Sequence, residues 1–411
     1  MSTLAVLPRD PRLLVPLLCT VMMGAVMVPS AGVILGDGLW FKHLAYLAVA
    51  SLAFAVFLFL PSRVLQLTHP LALGIALMLC ALVLVPGLGR EINGARRWLD
   101  LGLVTVQSGE LAKLLMLVYT AGFLARFGDQ VGSLRLELFA PLTALLAIAI
   151  LLLAAPDFGT VVVIALVLMG LMFVAGVPLR LFLMLAALAV LLGGIVAVWQ
   201  PYRLARLTAF VDPWGDAFGN GYQLVQSLIA FGRGGLFGVG LGEGVQKLHY
   251  LPEAHNDFIF AVLIEELGLV GGLLLMAAFC ALVLRLLELG RQCVRQDFWF
   301  GGYVLYGAAL LLGGQCLINI GVASGTLPTK GLTLPLVSYG GNALLVTGAL
   351  LGMVCRVQFE LEHERLAPRQ RRAAHRADSR ARARDLATQN GAAKAKRTSR
   401  SGRAAGRNHR G

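Results

Sequence analysis

The chain has 411 residues, of which 58% are hydrophobic and only 14% charged, with a formal net charge of +13. Its mean hydropathy of +0.77 lies far above that of a water-soluble domain and excludes one. The six cysteines are scattered and none forms a CxxC pair, so neither a disulfide framework nor a zinc site is supported.

Ten apolar runs account for this composition, at 13–35, 41–60, 70–88, 104–125, 138–155, 158–176, 179–199, 258–284, 299–321 and 333–355. Each is close to the roughly 17–25 residues that a helix needs to cross about 30 Å of hydrocarbon. Lipid cannot satisfy open backbone groups, so the runs are predicted to be helices. The expected fold is an all-α integral membrane protein with about ten transmembrane helices. Arg9 and Arg12 before the first run give it the look of a signal peptide. No small-residue cleavage site ends that run, so it is read as a retained helix.

Placing residues 1–12 in the cytoplasm puts Arg63, Arg126, Arg180 and Arg285 inside as well, as the positive-inside bias requires. An even number of crossings returns the C-terminus to the same side. The membrane domain is then 13–355, with a large extracytoplasmic loop, 200–257, between the seventh and eighth helices. The tail 356–411 carries a net charge of +11 and no apolar periodicity, and is expected to be disordered and cytoplasmic. Such a tail suits anionic lipid or a soluble partner. Without interleaved aromatics it does not suit nucleic acid.

Several polar residues go against the membrane pattern. The outer loop 87–103 holds Arg90, Arg96 and Arg97, and a later outer loop holds Lys330. Cations on that side point either to an anionic, phosphate-bearing ligand or to local carboxylates such as Glu91 and Asp100. Glu110 and Lys113, three apart in the fourth run, share a helix face and can pair, either as cavity residues or as a structural bridge. Asp157 precedes the sixth run, where an N-cap is the simplest account.

The loop 200–257 reads as a folded lid. It holds an interfacial helix near Tyr202–Phe210, a turn at Asp212-Pro-Trp-Gly-Asp216, and an amphipathic stretch from Tyr222 to Phe231. Glycines at 232, 234, 235, 238, 240, 242 and 244 would then allow tight backbone close to a ligand. Arg203, Arg206, Arg233 and Lys247 add charge. The lid ends at Tyr250-Leu-Pro-Glu-Ala-His-Asn-Asp257, with Asp257 immediately before the eighth apolar run. An ionisable group at that depth is costly and by default a functional candidate, although a helix cap is the bland alternative. His255 has no second histidine at ligand spacing, so no metal site is read there. No Walker loop, GxGxxG or HExxH motif occurs, and no machinery for using ATP is visible.

The stretches Asn93-Gly-Ala-Arg-Arg-Trp98, Gln107-Ser-Gly-Glu-Leu-Ala-Lys113, Pro156-Asp-Phe-Gly-Thr160, Tyr202-Arg-Leu-Ala-Arg206, Asp212-Pro-Trp214, Gly221-Tyr-Gln-Leu224, Tyr250 to Phe260, Asn319-Ile-Gly321, Leu327 to Pro335 and Ser338-Tyr-Gly-Gly341 together resemble the SEDS family (shape, elongation, division and sporulation). The likeness covers nearly the whole membrane region in order. Pro252-Glu-Ala-His255, where the elongation branch commonly has Pro-Glu-Arg-His, favours the division branch. The family's Gln-Pro-Ser-Glu reads Gln107-Ser-Gly-Glu110 here, and Ala323, Thr326, Asn256 and Asn342 also depart from its pattern.

The resemblance implies a membrane glycosyltransferase that polymerises lipid II into peptidoglycan during septum formation, in the bacterial inner membrane. It implies a class B penicillin-binding protein as crosslinking partner, with other divisome proteins. It implies that Asp257 is the catalytic residue and that Glu110 and Lys113 lie in the cavity. Arg96, Arg97, Arg203 and Lys330 are the further candidates for substrate and pyrophosphate, and Asp157, Asp212, Gln223, Glu253 and His255 the supporting residues. The α-linked donor becomes a β-1,4 product, so one inverting displacement with one general base suffices. No resident metal is assigned, although Mg or Mn bridging the phosphates is compatible with the chemistry. A lipid II flippase and a non-catalytic divisome scaffold are the rival readings.

Overall fold

The computed structural model describes residues 10–363 apart from 34–35, 37, 93, 101, 103–104, 128–138 and 200. Residues 356–363 of the tail expected to be disordered instead continue a helix that ends at His363, because apolar Val357, Phe359 and Leu361 extend its pattern. The tail from residue 364 onward lies outside the described residues, as do residues 1–9 of the expected cytoplasmic N-terminus. A compact unit runs to Gln358, and a second begins at Phe359.

The chain is mostly helical. Among the described residues seven helices are long and apolar enough to cross a membrane: α1 (Pro11–Ala31), α2 (Gly38–Phe59), α5 (Ser108–Ala125), α8 (Leu179–Trp199), α11 (Ile259–Val294), α12 (Trp299–Ala323) and α13 (Gly341–His363). Three shorter apolar helices, α4 (His69–Leu82), α6 (Phe139–Ala154) and α7 (Phe158–Val174), complete the set on which the ten runs fall. A short α3 (Ser62–Leu67) leads into α4. The loop after α8 carries α9 (Pro201–Val211) and α10 (Tyr222–Gly234), the two amphipathic segments expected of a folded lid. Helix α12 packs against α11, α7 and α5 and is the centre of the bundle. Helix α8 lies at its margin, against α9 and α7.

Three further regions differ from the sequence reading. The loop after α4 folds into an antiparallel sheet of β1 (Gly89–Ile92), β2 (Ala95–Asp100) and β3 (Thr105–Gln107), in that order. The Ile92–Ala95 pair closes a two-residue turn with Gly94 at φ 75°, a conformation that costs glycine little. Leu99 of β2 packs with Val83 and Ala155, which seats the sheet on the turn between α6 and α7. The fourth run therefore starts as a strand, and its helix only begins at Ser108. The tenth run likewise holds extended and turn residues up to Gly340, and α13 starts at Gly341.

The third difference is at α11, where a continuous span was expected. The helix is interrupted at Gly268 (φ 70°, ψ −175°), a backbone region open in practice only to glycine. The interruption frees amides and carbonyls, and the glycine-rich segment of the lid satisfies them. Leu269 N donates to Gly235 O (3.0 Å) and Val270 N to Leu236 O (3.1 Å). On the other side of the break, Val239 N donates to Glu265 O (2.9 Å) and Gly240 N to Glu266 O (3.1 Å). A broken helix at membrane depth is tolerated when protein re-pairs its backbone in this way. The lid glycines approach this break, where the sequence reading had them approaching a ligand.

Candidate active site

Asp257 stands one residue before the N-cap of α11. The cap position is Phe258 and has no side-chain cap bond, so the carboxyl of Asp257 does not close the helix end. The turn that delivers it is tight. Glu253 sits at φ 55°, and its carbonyl accepts from Asn256 N (3.0 Å) and Phe258 N (3.4 Å). The Asp257 side chain is half-buried and lies against the loop between α12 and α13. A Cβ placed on Gly331 would fall 2.8 Å from its Oδ2, so the carboxyl occupies the space that any other residue at 331 would fill.

Charges converge on this carboxyl from three segments. Loss of hydration pushes its pKa up to about 7, helped by the neighbouring Glu253 carboxylate and opposed by Arg206 and then Arg97. A carboxyl with a pKa near neutrality is a far stronger base than an ordinary aspartate and is still about half ionised near pH 7. Arg206 was passed over as a site candidate in favour of Arg203. Its place on the second turn of the amphipathic α9 was the available signal, and in the fold its Nη1 donates to Thr329 O (3.2 Å). The side chain of Arg203 lies outside the described residues. His255 is half-buried beside Tyr339, with ring centroids 5.7 Å apart, and burial lowers its pKa. Glu253 is exposed and accepts from Asn256 Nδ2 (2.6 Å).

The same loop and its neighbours link this carboxyl to the fourth and sixth runs. Lys330 Nζ lies 3.8 Å over the Phe158 ring, and Leu332 approaches Gly159 in the first turn of α7. Arg97 donates to the carbonyls of Ala155 and Pro156 just before it. Asp157 is the N-cap of α7, as expected, accepting from Thr160 N (3.3 Å) and Thr160 Oγ1 (2.8 Å). A Cβ on Gly109 would lie 2.6 Å from Asp157 Oδ2, which accounts for glycine at that departure from the family pattern. One residue on, Glu110 pairs with Lys113 at 2.8 Å, with side chains only 9% and 1% exposed. Arg97, Asp157, Glu110, Lys330 and Asp257 thus belong to one connected region at the same end of the bundle.

Other cations prove to be neutralised locally. Arg96 meets Glu91 at 3.4 Å and Arg90 meets Asp100 at 3.7 Å, both at the exposed surface, where such pairs contribute little. Lys247, read as an outer-loop cation, is buried and paired with Glu266 (2.6 Å), and Arg233 reaches Glu265 (3.1 Å). Neither glutamate was singled out in the sequence, because both sit inside an apolar run. Asp212 accepts from Gly215 N (3.0 Å) and serves its own turn, while Gln223 is half-buried on α10. Among the described residues no three His, Cys, Asp or Glu side chains converge as a metal-ligand set. A groove of about 540 Å³ on α8, lined by Val190, Leu191, Gly194, Ile195 and Val198, is apolar and has no group for chemistry.

A family model described as cell cycle protein, covering FtsW, RodA and SpoVE, matches residues 11–363. The probable peptidoglycan glycosyltransferase FtsW of Saccharophagus degradans is 47% identical over 352 residues, covering 84% of this chain and 91% of that one. Among solved structures, a chain of a peptidoglycan synthase complex, studied for its coordination of polymerization and crosslinking, superposes with a TM-score of 0.70 at 36% identity. That match covers 86% of this chain and 98% of the other. The rod shape determining protein RodA of Thermus thermophilus gives a TM-score of 0.63 at 32% identity, over 85% and 96% of the two chains.

Proposed function

The chain belongs to the FtsW/RodA/SpoVE family of cell cycle proteins, and from this premise we propose that it polymerises lipid II at the division septum with Asp257 as the general base. It is a multi-pass membrane peptidoglycan glycosyltransferase, as its FtsW relatives are named. In the proposed arrangement the ten apolar helices all cross the membrane. Both termini are cytoplasmic, and the lid formed by α9, α10 and the glycine-rich segment lies outside.

The observation that carries the assignment is the state of Asp257: half-buried, not spent on capping α11, set against Gly331, and raised to a pKa of about 7 by loss of hydration and by Glu253, against the pull of Arg206 and Arg97. The acceptor 4-hydroxyl loses its proton to this carboxylate as its oxygen attacks the anomeric carbon of the donor. The bond from that carbon to undecaprenyl pyrophosphate breaks with inversion, and the leaving group takes the electron pair. General base catalysis of this kind contributes about 10²–10⁴-fold. Arg97, Arg206 and Lys330 supply positive charge where the pyrophosphate gathers negative charge. Holding two lipid-anchored sugars in one cleft removes much of the entropic barrier. A class B penicillin-binding protein crosslinks the product, consistent with the likeness to a chain from a peptidoglycan synthase complex.

The test is to incubate the purified protein, with and without its penicillin-binding partner, with labelled lipid II in detergent. Polymer from the native chain and background levels from Asp257→Asn are expected. Robust polymerisation by Asp257→Asn refutes the base assignment. Translocation in vesicles without polymer would make the protein a flippase, and neither activity would make it a scaffold.

A further inference from the structure

Three consecutive peptide carbonyls at the candidate base are each held by a different donor from the far end of the chain. Tyr339 N donates to His255 O (2.9 Å), and Ser338 Oγ to Asn256 O (2.6 Å). Asn319 Nδ2 donates to Asp257 O (2.8 Å). The donors are tied in turn. Ser338 Oγ accepts from Leu334 N (2.8 Å), and Asn319 Nδ2 also donates to Leu332 O (2.7 Å). Asn319 and Ser338 are buried, 1% and 3% exposed.

Asn319 therefore holds two backbones at once, that of Asp257 and that of the loop carrying Lys330 and Gly331. Between these two anchors the Asp257 carboxyl meets the bare Cα of Gly331. The asparagine meanwhile leaves its own Oδ1 without a hydrogen-bond partner among the described residues. An unpaired buried acceptor is unfavourable, and a side chain chosen only to fill space would not carry one. What asparagine supplies at this position is a pair of donors aimed at two carbonyls.

Resting on the reading of Asp257 as the base, we propose that Asn319 and Ser338 are positioning residues for the glycosyl transfer, and that Gly331 is the surface against which they set the carboxyl. Asn319, at the outer end of α12, fixes the separation of Asp257 from the Lys330 loop. Ser338 stops the Asn256 peptide from rotating and so fixes the direction in which the next side chain leaves the backbone. Gly331 has an ordinary φ, so an added methyl acts on the carboxyl directly rather than through backbone strain.

The experiment measures kcat and KM for labelled lipid II with the full chain and its penicillin-binding partner. Misplacement of a reacting group by about 1 Å costs about 10²-fold, so Asn319→Ala, Ser338→Ala and Gly331→Ala are expected to lower kcat about 10- to 100-fold with KM within about twofold. Ser338→Thr keeps the hydroxyl and is expected to stay within about threefold of the native kcat, a rescue that mere loss of packing would not allow. Asn319→Ala combined with Asp257→Asn is expected to be no slower than Asp257→Asn alone, because both act through one group. Native kcat in Asn319→Ala and Ser338→Ala, or losses confined to KM, overturns the proposal while an inactive Asp257→Asn leaves the base reading standing. An active Asp257→Asn removes the base itself and overturns both. Should Asn319→Ala fail to insert in the membrane, the Ser338→Ala and Ser338→Thr pair and Gly331→Ala decide the matter alone.

Discussion

Lys247 and Glu266 form an ion pair of 2.6 Å with side chains only 2% and 0% exposed. The same ammonium donates to Ser30 Oγ (2.9 Å) and Gly242 O (2.7 Å), so its three protons have three acceptors from α1, the lid and α11. Beside it, Glu265 accepts from Val245 N (3.0 Å) and Gln246 N (3.1 Å). These two glutamates, just before the break in α11, fasten the segment that leads to Asp257. Removing one member of such a pair leaves the other as an uncompensated buried charge.

Lys247→Ala and Glu266→Gln are therefore each expected to destabilise the protein by about 3–5 kcal/mol. The combined change Lys247→Met with Glu266→Leu should recover a large part of that loss, because no charge is then left buried. Thermal unfolding in detergent checks both statements. Single variants as stable as the native chain would show that the pair contributes little.

The rate of polymerisation should depend on pH through Asp257. The base works ionised, and its pKa is about 7 rather than the ordinary 3.8, so kcat is expected to fall as pH drops below about 7 and to level off above it. Glu253→Gln removes a carboxylate that raises this pKa and should move the acidic limb to lower pH. Arg206→Ala removes a cation that lowers it and should move the limb to higher pH. A pH–kcat profile for the three proteins reads the signs directly, and a limb near pH 4 in the native protein would contradict the electrostatic account.

The Glu110–Lys113 pair separates a structural role from a role at the site. Lys113→Met alone strands the Glu110 carboxylate in the bundle and is expected to cost about 3–5 kcal/mol. Glu110→Gln with Lys113→Met should return thermal stability close to native. If the pair also serves the site, as the resemblance implies, glycan polymerisation should nevertheless stay at least about tenfold low, because the charge it would offer the transition state is missing. Recovery of activity together with stability would make the pair a bridge within α5 and nothing more.

Gly268→Ala tests the break in α11. An added Cβ would lie 2.4 Å from both Gly238 N and Leu236 O, at a φ of 70° that side chains avoid. A loss of about 3 kcal/mol or more is expected, from backbone strain together with the four hydrogen bonds shared with the lid. Gly74→Ala in α4 and Gly193→Ala in α8 meet nothing within 4 Å and should be neutral or mildly stabilising. Equal melting temperatures for all three variants would show that the lid does not depend on the break.

The features legible in the sequence are those whose physics is local or compositional. Apolar runs of bilayer length fall on helices because the main chain must pair with itself in lipid. Asp157 caps α7, and Glu110 reaches Lys113, because each bond closes within three residues along the helix. Asp257 stood out as a carboxyl at the edge of an apolar run. The partners of these groups were not legible. Lys247 stands in the sequence only as one more charge of the lid, and the fold brings it to Ser30, 217 residues away, and to Glu266. Arg206 bears on the Asp257 carboxyl from α9, some fifty residues back along the chain, a relation that the composition of α9 does not reveal. Asn319 reaches the Asp257 carbonyl across 62 residues, and Ser338 reaches Asn256 across 82. Which charge is neutralised and which is left to act depends on distances through space, and those exist only once α1, α11, α12 and the lid have packed together.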